Sequence, residues 1–239
     1  MTAFLAQFRT ELVLTLRRGE SLLLILGLPL LFLVFFSNVD VLPVGDGEPI
    51  DFLAPGIMAL AVMSTAMVSL SISTGFERSF GVLKRLGATP LGRPRLVAAK
   101  TAAVVAVELV QFAVLVPVAL LLGWEASGEW GGALLAIALG TVAFAGLGLV
   151  LAGRLRAEVN LAASNGLYLV LLLVSGMAFS LDELPGWLRA VSRALPSGAL
   201  TEVLRGAFTD ASIPGRAWAV LVIWAVASPL LAARLFRWE

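Results

Sequence analysis

The side chains that most often perform chemistry in proteins are scarce in this sequence. Its 239 residues include no cysteine and no histidine, which excludes disulfides, thiolate nucleophiles, Cys/His metal sites and imidazole bases. A P-loop needs a Gly-Lys pair, because backbone amides and the lysine hold the phosphates of ATP. The two lysines, Lys84 and Lys100, follow Leu83 and Ala99 instead. We therefore expect no catalytic residue, no metal and no cofactor bound by this chain, and no enzyme activity of its own.

One carboxylate, Glu108, lies well inside an apolar stretch, with Gln111 about one helical turn away. A charge within a membrane is costly and by default marks a transport pathway or a buried partner. The pair is therefore a candidate translocation pathway, in which Glu108 would contact a cationic substrate or carry a proton. The alternative is a bond between Glu108 and a neighbouring helix, which is favoured because the sequence shows no basic partner for it.

The segment between the second and third apolar stretches combines charge with apolar periodicity. Phe76, Phe80 and Leu83 recur at i, i+4 and i+7, which predicts a short helix with one apolar face. Gly87 would end this helix, and Pro90 would prevent its continuation. A partner pressing on such a helix would move both adjoining membrane helices. The alternative is a solvated basic loop that only fixes the topology.

The elements that position these residues are long apolar helices. Apolar residues make up 59% of the chain and charged residues 14%, whereas soluble domains have about 45–50% and about 25%. Backbone groups in lipid must be hydrogen-bonded within the protein, which only helices and closed β-barrels achieve. The sequence lacks the alternation of polar and apolar residues that barrel strands require, so the apolar stretches are predicted to be helices. The predicted fold class is therefore an all-α integral membrane protein, a single transmembrane domain over residues 1–239. The six predicted spans cover residues 21–39, 52–74, 96–123, 131–153, 161–181 and 217–236.

Basic residues in the short loops predict the orientation of these spans. With a cytoplasmic N-terminus, all but four of the 17 lysines and arginines lie inside, while most acidic residues lie in the outer loops. Both termini are therefore predicted to be cytoplasmic. The net charge of +1 gives no indication of nucleic acid, and none is expected as a partner. In the fourth span, glycines are dense, which predicts close helix packing.

Two segments outside the spans also have apolar stripes. Residues 3–18 have an apolar stripe at every fourth position, with Glu11 and three arginines off that stripe, as in a helix lying in the interface. The stripe consists of Phe4, Phe8, Leu12 and Leu16. The long outer loop, residues 182–215, has two further apolar stripes. They consist of Trp187, Leu188, Val191 and Leu195, and of Leu200, Val203, Leu204 and Phe208.

The segment that begins at Glu77 resembles a motif of the ABC type-2 permeases. These are membrane subunits of bacterial exporters, including drug-resistance pumps of the daunorubicin type. The matching pattern is Glu-Arg-x-x-Gly-x-Leu-x-Arg-Leu-x-Ala-Thr-Pro-Leu. Residues 52–57 and 184–188 resemble the family's segments before the second and last spans, so the resemblance covers essentially the whole chain. At residues 80–82, Phe-Gly-Val departs from the polar residue, Gly and Thr that many relatives have.

The resemblance implies a permease subunit that moves a lipophilic drug-like or lipid-linked substrate outward across the bacterial plasma membrane. ATP and Mg²⁺ would be bound by a separate ABC ATPase subunit, and the permease would pair with a second copy or a paralogue among membrane lipids. Residues 3–18 would form an interface helix, and residues 184–208 two short helices that partly re-enter the membrane. Residues 77–90 would form the coupling helix that contacts the ATPase. The positions carried over for this coupling are Glu77, Arg78, Phe80, Gly81, Leu83, Lys84, Arg85, Leu86, Thr89 and Pro90.

Three other classes of protein are weighed against this interpretation. A transporter or channel driven by a proton or ion gradient would use Glu108 as its ionisable centre and need no ATPase. A membrane scaffold would have no reason to contain the motif that begins at Glu77. A membrane enzyme is the least favoured class, because the sequence has no histidine, cysteine or clustered carboxylates.

Overall fold

The computed structural model describes residues 2–17, 19–39, 48–89, 91–177, 181, 184–209 and 213–235, and these form helices joined by short turns and loops. Five helices in this part of the chain are long and apolar enough to cross a membrane. The chain is therefore a multi-pass, all-helical membrane protein. The predicted first span coincides with a further helix, whose apolar stretch Ile25–Asn38 is shorter, so the count of six spans stays a prediction.

The helices are numbered here in chain order, and the second membrane span is built from three consecutive segments. α3, a π-helical segment and α4 form one continuous helix, Pro49–Ser79, which we call the long helix. Its predicted core, residues 52–74, lies within these bounds. The elements are α1 (Thr2–Arg17), α2 (Gly19–Asn38), α3 (Pro49–Met63), the π segment (Ser64–Ser69), α4 (Leu70–Ser79), α5 (Val82–Gly87), α6 (Arg93–Leu121), α7 (Trp130–Arg154), α8 (Ala157–Val174), α9 (Gly186–Ala194), α10 (Pro196–Phe208) and α11 (Gly215–Leu235).

The long helix lies at the centre of the bundle. Its residues from Leu53 to Met63 are all buried, as expected for a helix that is apolar on every side. Glycines of α7 let neighbouring backbones approach closely, as the glycine-rich sequence predicts. A Cβ atom on Gly148 would lie 2.6 Å from the carbonyl oxygen of Met67, and one on Gly146 would lie 2.6 Å from the Pro229 nitrogen in α11. Such contacts require the absence of a side chain.

The prediction of one helix through Phe76, Phe80 and Leu83 is wrong. α4 ends at Ser79, and Gly81 turns the chain with a φ of 70° before α5 begins at Val82. Other residues adopt this left-handed conformation at a cost, so the glycine determines where the helix breaks. The break also separates the predicted face: Phe80 is 71% exposed and Leu83 is fully buried. α5 does end at Gly87, as predicted, and Pro90 lies outside the described residues.

The helices outside the predicted spans, α1, α9 and α10, differ from the prediction mainly in which of their residues are buried. α1 forms over nearly the predicted range, but Glu11, expected on the polar face, is buried and Leu16 is exposed. The fifth span, predicted over 161–181, is the shorter helix α8, which ends at Val174. The outer segment forms two short helices, α9 and α10, as expected. The second apolar stripe, on α10, is buried, whereas Trp187 on α9 is 70% exposed.

α10 is fastened to the start of the long helix by Arg205. Its guanidinium carbon lies 3.5 Å from the centre of the Phe52 ring, which is a cation–π geometry. Burial lowers the pKa of Arg205 to about 10, so the side chain is still charged at neutral pH. This contact holds the outer helix pair against the end of the long helix opposite to Ser79.

Candidate functional site

The Ser79 end of the long helix leads into an exposed turn, residues 80–89, which we call the corner. Phe80 stacks on Phe76 with ring centroids 6.3 Å apart, yet most of its surface is exposed. On α5, Lys84 and Arg85 are exposed as well, while Leu83 anchors the helix in the core. The corner therefore presents an aromatic ring and two cations on a buried aliphatic support.

Backbone contacts hold the corner in a defined shape. The Arg85 guanidinium Nη2 donates to the carbonyl of Phe80 at 3.3 Å, and the Thr89 hydroxyl donates to the carbonyl of Leu86 at 2.6 Å. At the base of the corner, Arg78 Nη2 donates to the carbonyl of Leu155 at 2.6 Å. Leu155 follows α7, so Arg78 joins the corner to the connection between α7 and α8. Arg78 is thus a structural contact beside the corner, not part of its exposed surface.

Glu77, one of the positions expected to couple to an ATPase, is part of a largely buried ion-pair cluster. The ammonium nitrogen of Lys100 lies 2.7 Å from Glu11 Oε1 and 2.7 Å from Glu77 Oε2. Gln7 Nε2 also donates to Glu11 Oε1 at 2.7 Å. The Lys100 side chain is fully buried. We call Glu11, Glu77 and Lys100 the Lys100 cluster, and it joins α1, α4 and α6.

Glu11 and Lys100 are not among the site residues predicted from the sequence. A signal for them was present. Lys100 is the lysine that falls inside a predicted span, and Glu11 is the one acidic residue of the N-terminal helix. A lysine in an apolar span needs an acidic partner, but the sequence does not show which helix supplies it.

A cavity of about 450 Å³ is lined by residues of α1, α2, the long helix and α8. Its walls are mainly apolar, and its polar groups are hydroxyls and one amide. Because the polar groups are weak hydrogen-bonding ones without formal charge, the cavity suits a largely lipophilic molecule. The lining residues are Thr15, Ile25, Leu28, Pro29, Ser64, Val68, Ser69, Ile72, Ser73, Asn165 and Tyr168.

The two residues predicted as a translocation pathway make separate helix contacts. Glu108 accepts a hydrogen bond from the hydroxyl of Thr141 in α7. Gln111 Nε2 donates to the carbonyl of Ile25 in α2 at 2.7 Å, and its Oε1 accepts from Thr65 at 3.1 Å. Neither residue lines the cavity. These contacts fit the alternative weighed for Glu108, a bond between neighbouring helices.

A second polar cluster, not predicted from the sequence, joins α4 to α8. Ser71 Oγ donates to Asn160 Oδ1 at 2.8 Å, and Asn160 Nδ2 donates back to the carbonyl of Ser71 at 2.8 Å. Ser164 Oγ donates to Ser71 Oγ at 2.9 Å. A Cβ on Gly75 would lie 2.6 Å from Asn160 Nδ2. The cluster therefore fastens the long helix to α8 beside the cavity.

The described residues contain no group of three or more acidic side chains that could hold a metal ion. The exposed corner directly follows the long helix, and the long helix also supplies Glu77 to the ion-pair cluster and several residues to the cavity wall.

The chain belongs to the ABC-2 type transporter family, whose sequence profile matches residues 2–209. The matched region is the membrane component of such transporters, so the chain is a permease component and not an ATPase. Over 164 residues it is 32% identical to ABC transporter G family member 20 of Dictyostelium discoideum. That alignment covers 66% of this chain and 22% of the relative, so the chain spans about a fifth of the relative's length. The family predicted from the sequence is confirmed.

Proposed function

We propose that this chain is the permease subunit of an ATP-driven exporter, with ATP and Mg²⁺ bound by a separate ATPase chain. The observation that supports this function best is the continuity of the long helix. Its 31 residues run without a break from Pro49 to Ser79, about 46 Å of helix. One end reaches the corner, and the middle supplies Ser64, Ser69 and Ser73 to the cavity wall.

The corner is the proposed contact with the ATPase. An exposed aromatic ring beside two cations resembles the anchors that dominate protein interfaces, where aromatic and Arg side chains contribute most. Contact of the Phe80 ring with water is unfavourable, so binding of a protein surface that covers the ring is favoured by the burial of its apolar area. Closure of the ATPase on ATP would then push the corner and tilt the long helix.

The π segment is the part of the long helix in which a displacement of the corner would change the cavity. Residues Ser64–Ser69 are wound as a π-helix in the middle of the long helix, and such segments are frequent at functional sites. Three of the cavity-lining residues, Ser64, Val68 and Ser69, lie in this segment. A change in its winding would rotate these side chains and alter the cavity.

The open side of the cavity is the proposed interface with a second permease, either another copy or a paralogue. Ser73 and Asn165 are among the polar residues that line the cavity. If no partner covered the open side of the cavity, these polar side chains would face the hydrocarbon of the membrane. Such groups are expected to face protein or a water-filled path. Two permeases that meet here would enclose a path between them.

The substrate that we propose is lipophilic, drug-like or lipid-linked, because the cavity walls are largely apolar and its hydroxyls have no formal charge. The outward direction, and with it efflux and drug resistance, is a proposal that rests on the resemblance to exporters. The proposed location is the bacterial plasma membrane with both termini cytoplasmic, as the basic loops predict. In this orientation the corner faces the cytoplasmic ATPase.

The proposal is tested by co-purification with the ABC ATPase encoded nearest to this chain's gene, in lipid nanodiscs. Phe80→Ala combined with Lys84→Glu changes only exposed side chains of the corner. We expect this variant to bind the ATPase at least about tenfold more weakly, since losing an anchor of about 1.4 kcal/mol has that effect. Leu121→Ala, at the opposite end of α6 and 86% exposed, is the matched control and should bind normally.

Each outcome has a distinct meaning. If the unsubstituted chain binds no ATPase, the exporter function is wrong, and uptake driven by a proton gradient becomes the next test. If the corner variant binds as tightly as the unsubstituted chain, the ATPase docks elsewhere. Both variants should unfold at the temperature of the parent, because the three substituted side chains, Phe80, Lys84 and Leu121, are all exposed.

A further inference from the structure

Several hydroxyl groups in the cavity wall already use their hydrogens within their own helices. Ser64 Oγ and Ser73 Oγ each donate to the backbone carbonyl three residues earlier in the long helix, at 3.0 Å and 3.1 Å. Thr15 Oγ1 donates to the carbonyl four residues earlier in α1, at 2.9 Å. Because a hydroxyl has one hydrogen and two lone pairs, these oxygens can accept a hydrogen bond from a ligand without breaking an existing bond.

Asn165 adds a further acceptor to the wall. Its Nδ2 donates to the carbonyl of Leu161 at 2.8 Å, and its Oδ1 accepts from no described residue. Ser69 and Tyr168 complete the polar part of the wall. Their hydroxyls bond to no described residue and can donate or accept. Every polar side chain of the wall therefore offers an oxygen, whereas free hydrogens are left only on Asn165, Ser69 and Tyr168.

This excess of acceptors determines which polar groups a ligand can bring into the cavity. A ligand that leaves water loses the hydrogen bonds of its polar groups, and each group left unpaired costs free energy. An N–H or O–H group finds an oxygen on α1, the long helix or α8. An acceptor on the ligand competes for few hydrogens. The lining side chains have no formal charge, so the wall pairs with neither sign of ligand charge.

We propose that the cavity selects lipophilic molecules that donate hydrogen bonds through N–H or O–H groups, over molecules of the same skeleton in which methyl groups replace these hydrogens. Thr15, Ser64 and Ser73 are specificity-determining residues, because their oxygens accept from the ligand. The inference rests on the proposed function, in which the cavity holds the substrate. It narrows that substrate from any lipophilic molecule to one that carries hydrogen-bond donors.

Two pairs of fluorescent dyes test this selection with the full chain in lipid nanodiscs. The neutral pair is aminomethylcoumarin and its N,N-dimethyl derivative. The cationic pair is rhodamine methyl ester with free amino groups and its tetramethyl derivative. Within each pair the charge and the ring system are the same, and only the N–H donors differ. Fluorescence anisotropy gives the affinities, and nanodiscs without protein correct for the uptake of each dye by lipid.

In the unsubstituted chain, we expect the amino form of each pair to bind about fivefold more tightly than its methylated form, the factor that one net hydrogen bond gives. Ser64→Ala combined with Ser73→Ala should reduce this preference by weakening the amino form and leaving the methylated form unchanged. Both hydroxyls bond only to their own helix, so their removal breaks no contact between helices.

Thr15→Val is a second variant, on another helix of the wall, and should reduce the preference in the same way. Thr10→Val is its matched control. Thr10 Oγ1 also donates to the carbonyl four residues earlier in α1, at 2.9 Å, but Thr10 is exposed and does not line the cavity. The control should keep the full preference for the amino dyes.

The outcomes are distinct. Selection in both pairs, reduced in the wall variants alone, supports the inference whatever the charge of the ligand. Selection confined to the cationic pair would overturn it, because charge would then decide. Equal affinities within each pair, selection that survives in both wall variants, or no saturable binding of any dye would also overturn it. Because dye binding needs no ATPase, these results are independent of co-purification, and a chain that binds no ATPase would contradict the exporter function alone.

Discussion

Pro29 leaves one backbone carbonyl of α2 without its intrahelical hydrogen bond, and a side chain of α6 supplies the missing donor. Proline has no backbone amide, so the carbonyl of Ile25 lacks its usual intrahelical donor. Gln111 Nε2 from α6 donates to that carbonyl at 2.7 Å. A free carbonyl is costly where no water can reach it, so a neighbouring side chain that supplies the missing bond makes the proline tolerable. This gives Gln111 a structural reason to be polar inside an apolar helix.

If Gln111 supplies the hydrogen bond that Pro29 removes, the effects of substituting these two residues on stability should be coupled in a double-mutant cycle. Gln111→Leu should lower the free energy of unfolding by about 1 kcal/mol, the usual worth of a hydrogen bond between membrane helices. Pro29→Ala restores the amide that can bond to Ile25, so Gln111→Leu should cost much less in that background. Chemical denaturation in detergent micelles measures all four chains. Equal costs in the two backgrounds would contradict this coupling.

Glu108 is the second residue whose environment determines its role. Thr141 Oγ1 is within hydrogen-bonding distance of both Glu108 Oε2 and the carbonyl of Ile137. A hydroxyl has one hydrogen, so it can donate to only one of these acceptors. The contact with Glu108 Oε2 is the shorter of the two, so the carboxylate is the better acceptor for this hydrogen. The amide oxygen of a glutamine can accept the same hydrogen bond.

We therefore expect Glu108→Gln to unfold at nearly the temperature of the parent, while Glu108→Leu, which cannot accept the hydrogen bond from Thr141, should be less stable by about 1 kcal/mol. The ATPase activity of the complex with the ATPase subunit should be the same in Glu108→Gln as in the parent. A gradient-driven transporter that used Glu108 would instead be inactivated by the glutamine. Uptake that a proton gradient drives in the parent and not in Glu108→Gln would favour the proton-coupled alternative.

At the scale of elements, the contact between α7 and α11 depends on one missing side chain. A Cβ on Gly146 would lie 2.5 Å from the carbonyl carbon of Ser228 and 2.6 Å from the nitrogen of Pro229. These are backbone atoms of a helix, which cannot move aside singly. Ser228 Oγ also donates to the carbonyl of Ala143 across the same contact at 2.7 Å.

Gly146→Ala should therefore separate the two helices and lower the free energy of unfolding by about 1–3 kcal/mol, the usual cost of overpacking. Gly131→Ala is the matched control on the same helix, since a Cβ there meets nothing within 4 Å. Alanine has the higher helix propensity, so the control should be neutral or slightly stabilising. Unfolding temperatures of the two variants in lipid check the difference, and equal values would contradict the close contact.

Apolar length and small-residue density are local properties, which is why the sequence predicted the long helices and the close packing of α7. The break at Gly81 could not be predicted from periodicity, because Phe76, Phe80 and Leu83 fit one helical face whether or not the helix continues. Pairing between distant positions was also inaccessible. Nothing local to Glu11 indicates that Lys100 is its partner, and the cavity exists only where four separate helices meet.

For the whole molecule, the helix ends divide into two groups that lie on opposite sides of the bundle. The backbone amide of Glu125, after α6, donates to Asp51 at the start of the long helix at 3.1 Å, so these two ends share a side. The corner and the start of α6 share the other side. The 29 residues of α6 separate the two sides by about 43 Å, which exceeds the hydrocarbon thickness of about 30 Å.

The basic corner is predicted to lie in the cytoplasm, because lysines and arginines in short loops are retained on that side. Since the chain has no cysteine, Lys84→Cys and Glu125→Cys each create a single labelling site on an exposed residue. A membrane-impermeant maleimide added to intact cells should label Glu125→Cys and not Lys84→Cys. Opened cells should give labelling of both, and the cysteine-free parent should give none. The reverse pattern would place the corner outside, where no cytoplasmic ATPase could reach Phe80, and would contradict the orientation and the proposed coupling together.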